Sequence, residues 1–177
     1  MRADLIVTDK GPVLFMLDEN GRPYASLGAS ETGPAFGLYE SGKPMATLIV
    51  TKDGTGLSLR DQNGKARVAL GVTKDRPGLD MYDENGRCRA LLSATKDGWG
   101  LGLYDENGTF RASLGVFEGE LRLVHGDQNS ELQMSPDGPS MVLLDENGRT
   151  RTVLNVDEDG PRLLLLDEEG KPIRSIP

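Results

Sequence analysis

The sequence is short of the residues that most chemistry needs. It has one cysteine, one histidine and nine aromatic residues in 177 positions. A single thiol, Cys88, excludes an intramolecular disulfide framework and a cysteine metal cluster. No stretch longer than eleven residues lacks both Gly and Pro; the longest are 87–97 and 149–159. Long helices, bundles and coiled coils are thereby excluded. No apolar run nears the ~20 residues of a membrane span, and no secretory signal is recognisable. Positive charge is short as well: 20 Lys and Arg against 28 Asp and Glu leave a net charge of −8. That argues against a nucleic-acid partner. These absences place the chain in the cytoplasm by default, with peripheral membrane association left open.

What is abundant is glycine, at 23 residues, nearly twice the usual share of about 7%. It is distributed by a repeat. LDENGRPYASLG, LRDQNGKARVALGV, MYDENGRCRALL, LYDENGTFRASLGV and LLDENGRTRTVLNV are versions of one unit, RAxLGVxKDGPGLxLYDENG, of 22 residues. Turns are expected at Asn20, Ser41, Asn63, Asn85, Asn107, Asn147 and Glu169, and the 40-residue step between the fifth and sixth hides a degenerate copy turning near Asp127. About eight repeats fill one domain, 1–177, with no linker.

Each segment alternates apolar with polar or small residues over 5–7 positions and is bounded by turn residues, the strand signature. Asn-Gly between two such runs predicts a two-residue type I′ hairpin, with positive φ at both residues. Around Asn107-Gly108 this pairs Asp105 with Phe110, Tyr104 with Arg111, Leu103 with Ala112, Leu101 with Leu114 and Trp99 with Val116. The neighbouring repeats pair Met81 with Ala90, Leu79 with Leu92, Leu59 with Val68 and Leu57 with Leu70. Every second pair is apolar on both strands, and a one-residue slip would scatter them over both faces.

The result is an antiparallel meander of about 16 strands with one aliphatic and one polar face. A face that long must be covered. The fold class expected is all-β, a hairpin repeat closed into a shallow or flattened barrel, with a spiral hairpin solenoid as the alternative. A round barrel of that many strands would have a radius of roughly 16 Å, too wide for Leu and Ala to fill. The candidate apolar interior, and candidate ligand-binding surface, is Leu57, Leu59, Leu79, Met81, Trp99, Leu101, Leu103 and Leu114. The first strand, Arg2–Val7, carries Leu5, Ile6 and Val7 without a proline, so it is expected to be covered by the far end of the chain or by a second subunit.

The consensus resembles a group of uncharacterised bacterial repeat proteins built from RAxLGV–DG–GLxLYDENG units. It is also similar to the β-flower, a shallow symmetric barrel with hairpin petals, close in outline to tubby-like barrels. The resemblance covers essentially the whole chain and implies a closed hairpin array. Members of such groups often sit behind a membrane anchor.

Candidate chemistry is sparse. His125 sits at the degenerate turn with no identifiable nucleophile beside it. Cys88 reads as an ordinary exposed or half-exposed thiol. The acidic turns at Asp18, Asp83, Asp105 and Asp145 lack the spaced pattern of a calcium loop, and turn chemistry accounts for every residue in them. Arg67, Arg89, Arg111 and Arg151 recur at equivalent positions on the polar face, a surface ladder suited to anionic head groups or sugars, or simply to nearby carboxylates. No catalytic residue, metal ligand or cofactor is singled out. The expected function is a non-enzymatic structural or interaction module, binding a protein partner or itself; the alternative is a carrier of an apolar ligand or lipid.

Overall fold

The computed structural model describes residues 2–74, 76–117, 119–126, 130–135 and 138–176. It is all-β, with seventeen strands and no helix among the described residues. The chain divides into two compact units, 1–89 and 90–177. The first holds β1 (Arg2–Thr8), β2 (Gly11–Leu17), β3 (Pro23–Ala29), β4 (Pro34–Glu40), β5 (Lys43–Thr51), β6 (Gly54–Arg60), β7 (Ala66–Thr73) and β8 (Pro77–Tyr82). β9 (Cys88–Thr95) begins at the boundary. The second unit continues with β10 (Gly98–Tyr104), β11 (Phe110–Phe117), β12 (Glu120–His125), β13 (Ser130–Ser135), β14 (Gly138–Leu144), β15 (Thr150–Asp157), β16 (Gly160–Leu166) and β17 (Pro172–Ile176).

Within each unit every ladder among the described residues is antiparallel and joins strands consecutive in the chain. Among the described residues no ladder closes either unit into a barrel. The register aligns one apolar residue per strand, mostly leucine, into an unbroken row. In the first unit the row is Leu5, Leu14, Leu27, Phe36, Leu48, Leu57, Leu70, Leu79. In the second it is Leu92, Leu101, Leu114, Leu123, Leu132, Met141, Leu154, Leu163, Ile176. Apart from Ile176, which ends β17, both rows stay near mid-strand, so the strands lie abreast without the progressive stagger of a tilted barrel.

The hairpin turns differ from the expected type I′. Among the described non-glycine residues only Ser41 has positive φ, 51°, next to Gly42 at 79°, so Ser41-Gly42 is a two-residue turn. Elsewhere the loop is one residue longer: Asp105, Glu106 and Asn107 turn, and Gly108 takes the left-handed conformation at φ 81°. A bulge then restores the register. Tyr104 pairs with Phe110 and Leu103 with Ala112, leaving Arg111 as the extra residue. The expected pairs from Leu103–Ala112 to Trp99–Val116 stand, while Asp105–Phe110 and Tyr104–Arg111 are replaced. The degenerate turn near Asp127 lies outside the described residues.

Of the opposite connections, Thr8–Gly11, Thr51–Gly54 and Thr95–Gly98 close over two residues and end on a glycine, whereas Ala29–Pro34 and Val72–Pro77 take four. Gly54 and Gly98 sit at φ 147° and 148°, and a Cβ there would lie 2.1 and 2.0 Å from the carbonyl oxygens of Val72 and Val116. The threonine opening these turns accepts a backbone N–H two residues on and donates to the glycine carbonyl, as Thr51 does to Gly54 at 3.0 Å.

Burial corrects the expectation of an aliphatic core. The buried apolar side chains among the described residues are Val13, Leu17 and Ala25. Of the expected interior, Leu57, Leu79 and Leu101 are half-buried, and Leu59, Met81, Trp99, Leu103 and Leu114 are exposed. Within each unit the sheet is one layer, so these side chains stand side by side with nothing of that unit across from them. Buried Val13, Leu17, Gly37 and Gly115 belong by alternation to the other face. There, short residues let rings lie flat on the backbone. The first strand keeps Leu5 and Val7 at 72% and 78% exposure.

Candidate functional site

Six turns share one hydrogen-bonding plan. The aspartate Oδ1 accepts two backbone N–H groups, from the residues two and four positions on, at 2.7–3.1 Å in the turns opened by Asp18, Asp61, Asp83, Asp105, Asp145 and Asp167. Oδ2 is left facing the strand. In four of the turns an arginine six residues on reaches it: Arg67 to Asp61 at 3.4 Å, Arg89 to Asp83 at 3.7 Å, Arg111 to Asp105 at 2.6 Å and Arg151 to Asp145 at 3.6 Å. For Arg67, Arg111 and Arg151 the bulge supplies the geometry, because the extra residue is turned back toward its own turn.

The recurring arginines are therefore ion-paired within their own hairpins. The backbone N–H groups of Arg87, Thr109 and Arg149 lead in holding the Asp83, Asp105 and Asp145 carboxyls below the usual range, helped by the facing arginines. At Asp61 burial works the other way, and the N–H groups of Lys65 and Asn63 with Arg67 outweigh it. These carboxylates already hold two N–H donors and an arginine, which suits a turn rather than a calcium ligand.

His125 is exposed at the end of β12, paired with Ala112 in the row beside the leucine row. Cys88 is a half-buried cysteine outside any disulfide, at the start of β9. No helix of the described residues is long and apolar enough to cross a membrane.

The polar face contains a feature missed in the sequence. Gly56, Gly71 and Gly78 lie abreast on β6, β7 and β8. They floor a groove of about 440 Å³ whose walls include Thr47, Ser58, Arg60, Thr73, Arg76 and Asp80. Other glycines on this face carry a ring. A Cβ on Gly37 would strike the Tyr39 ring at 2.8–3.0 Å, one on Gly102 would lie 3.4 Å from the Tyr104 ring, and Phe117 covers both Gly100 and Gly115 at 3.0 and 2.5 Å. Over Gly56 and Gly71 the nearest atoms are backbone carbonyls of the sheet, Leu70 O at 3.7 Å and Thr55 O at 3.4 Å.

The groove also holds polar groups without partners. Arg60 Nε and Arg76 Nη1 are buried and unbonded. Arg60 otherwise donates to the Gly64 carbonyl at 3.1 Å, and Arg76 lies 3.9 Å from Asp80. Tyr82 donates to Asp80 at 3.4 Å, and burial, with the Asp80 charge beside it, pushes the Tyr82 phenol up. The signal that could have found the groove is a comparison of repeats: GTGLSLR…RVALGVT has Arg60 and Thr73 where GWGLGLY…RASLGVF has Tyr104 and Phe117.

Neither a known protein-family model nor a curated protein matches this chain.

Proposed function

We propose that this chain is a non-enzymatic structural or interaction module whose aliphatic sheet face is the contact surface, for a protein partner or a second copy of the chain. One observation carries the reading: the leucine rows run unbroken across the strands of each unit, yet most of their side chains stay exposed, Leu70 at 52% and Leu114 at 40%, and the rest are half-buried. Exposed apolar surface of that continuity marks a binding site rather than a solvated face. A shallow barrel would turn this face inward, and a spiral of hairpins would line a groove with it; the unstaggered register fits either better than a tilted barrel. The polar turns, closed on themselves by their own aspartates and arginines, offer no catalytic group.

A second reading has support of its own. The expected interior does not pack itself, and it is aliphatic, with Trp99 its single aromatic residue. That composition suits a fatty-acyl or other apolar ligand. Native mass spectrometry of the purified chain separates the readings. Multiples of 19.1 kDa, or capture of a defined protein partner, support the interaction module. A reproducible adduct of lipid size supports the carrier. A bare chain that keeps its mass at every concentration and captures nothing overturns both.

A further inference from the structure

The groove over Gly56, Gly71 and Gly78 lies on the face opposite the leucine rows and is independent of the function proposed above. Gly56 and Gly71 are not imposed by the backbone. Neither has the positive φ of Gly54 or Gly98, and a Cβ at either would meet only backbone atoms at ordinary contact distance, Leu70 O at 3.7 Å over Gly56 and Thr55 O and Gly56 Cα at 3.4 and 3.9 Å over Gly71. The equivalent hairpin β10–β11 has the same two glycines, Gly100 paired with Gly115, and lays its own Phe117 ring over both. In β6–β7 the residue at that position is Thr73, whose hydroxyl turns away to the Arg76 carbonyl at 3.0 Å. A place for a flat ring is thus preserved and the ring is missing.

What surrounds that place is mixed: Ile49, Leu57, Ala69 and Leu70 line it beside arginines, hydroxyls and carboxylates. Arg60 stands where β10 has Tyr104, and both Arg60 and Arg76 have a buried nitrogen without an acceptor. An orphaned donor of that kind is costly, and a charged acceptor relieves it. Thr47 and Ser58, adjacent in one row across β5 and β6, have hydroxyls that make no hydrogen bond among the described residues. In the same row the hydroxyl of Ser26 is bonded to Tyr39, 2.9 Å away. Asp53 and Asp80 also line the groove. Two carboxylates balance the two guanidinium groups, so the groove suits a singly charged acid better than a dianion.

We infer that this groove binds a small aromatic carboxylate, its ring lying on the glycine floor as Phe117 lies on Gly100 and Gly115, its acid group drawn to Arg60 and Arg76. The hydroxyls of Thr47 and Ser58 are the further donors within the groove.

The test is a titration of the full chain with benzoate, followed through backbone amide shifts. Saturable shifts are expected at Gly56, Gly71 and Gly78, with cyclohexanecarboxylate, benzyl alcohol and phenyl phosphate all binding more weakly. Thr73→Phe, which supplies the ring from the protein itself, should abolish binding while the melting point stays close to that of the parent. Arg60→Gln and Arg76→Gln should each weaken binding about tenfold or more, the loss of one charge-assisted hydrogen bond. Four results overturn the inference: no saturable shift at these glycines, shifts confined to the leucine-row face, a folded Thr73→Phe chain that binds benzoate as the parent does, or unchanged affinity in both arginine variants. Equal binding of cyclohexanecarboxylate overturns the aromatic part. Should Thr73→Phe not fold, the two arginine variants decide.

Discussion

Hairpins β6–β7 and β10–β11 share a backbone register and differ at nine positions, three of which exchange a polar side chain of the first for a ring in the second. Both open on a glycine pressed against a valine carbonyl, both run Leu-x-Leu toward the turn, both set two glycines side by side, and both end in an aspartate bonded to its own turn. Thr55, Arg60 and Thr73 of the first become Trp99, Tyr104 and Phe117 of the second. The second hairpin fills its polar face with its own rings: Tyr104 covers Gly102 and meets Phe110 edge-on at 5.9 Å, and Phe117 covers Gly100 and Gly115. The first leaves that space open and edges it with arginines. The repeat thus fixes where the backbone goes, and single positions decide whether a given stretch of sheet is finished by the chain or left as a site.

That comparison can be broken first where the two hairpins should behave alike. Gly54→Ala and Gly98→Ala should each cost about 3 kcal/mol or more, since both place a methyl inside a carbonyl oxygen at a backbone conformation that alanine avoids. Urea unfolding that shows one of them tolerated would mean the hairpins do not share a backbone. The next effect should split them. Gly100→Ala pushes on the Phe117 ring and should cost about 1–2 kcal/mol. Gly56→Ala should be neutral, or stabilising by a few tenths of a kcal/mol through the unfolded chain. Equal costs would erase the difference between a covered and an open floor.

The turns give a smaller effect, again shared. Asp105→Ala and Asp61→Ala each lose two backbone hydrogen bonds and an arginine partner, a loss that solvent screens in so exposed a setting and that should fall below the cost of Gly100→Ala. Their carboxyls are depressed in the fold, so each stabilises it while ionised. That contribution is complete above the unfolded carboxyl pKa of about 4 and is lost as the pH falls through the lower folded values. Acid titration of the parent and the Asp61→Ala/Asp105→Ala chain should therefore give midpoints that converge toward low pH; a constant gap down to strong acid would contradict the ionised-turn account. The smallest effect is Arg111→Gln, under about 0.5 kcal/mol and vanishing at high salt.

The register could be read from the sequence because alternation over nine residues leaves one solution. It survived a wrong turn type for a physical reason: a loop one residue longer and a bulge one residue deep cancel, so Leu101 still faces Leu114. The arginine ladder was legible as a recurrence, with nearby carboxylates among its expected partners. That the partner is the aspartate of the same turn was not, because the bulge that turns Arg111 back leaves no mark in the alternation. Period-2 patterning says which face is apolar, and it does not say what lies across from it, hence the exposed Leu59 and Leu103 where an interior was expected. The groove needs three glycines brought abreast by two ladders and a ring absent from a fourth position, which appears only when two repeats are laid side by side.

Trp99 offers the most direct measurement, because it is the one tryptophan and stands on the aliphatic face, 47% exposed. If that face is a contact surface that the chain does not cover for itself, Trp99 fluorescence in dilute, delipidated, monomeric protein should be red-shifted and readily quenched by acrylamide. It should shift to the blue and resist quenching when the chain self-associates or its partner or ligand is added. Blue, unquenchable emission from the bare monomer, unchanged by concentration or added ligand, would show that the chain covers this face by itself and would contradict the account.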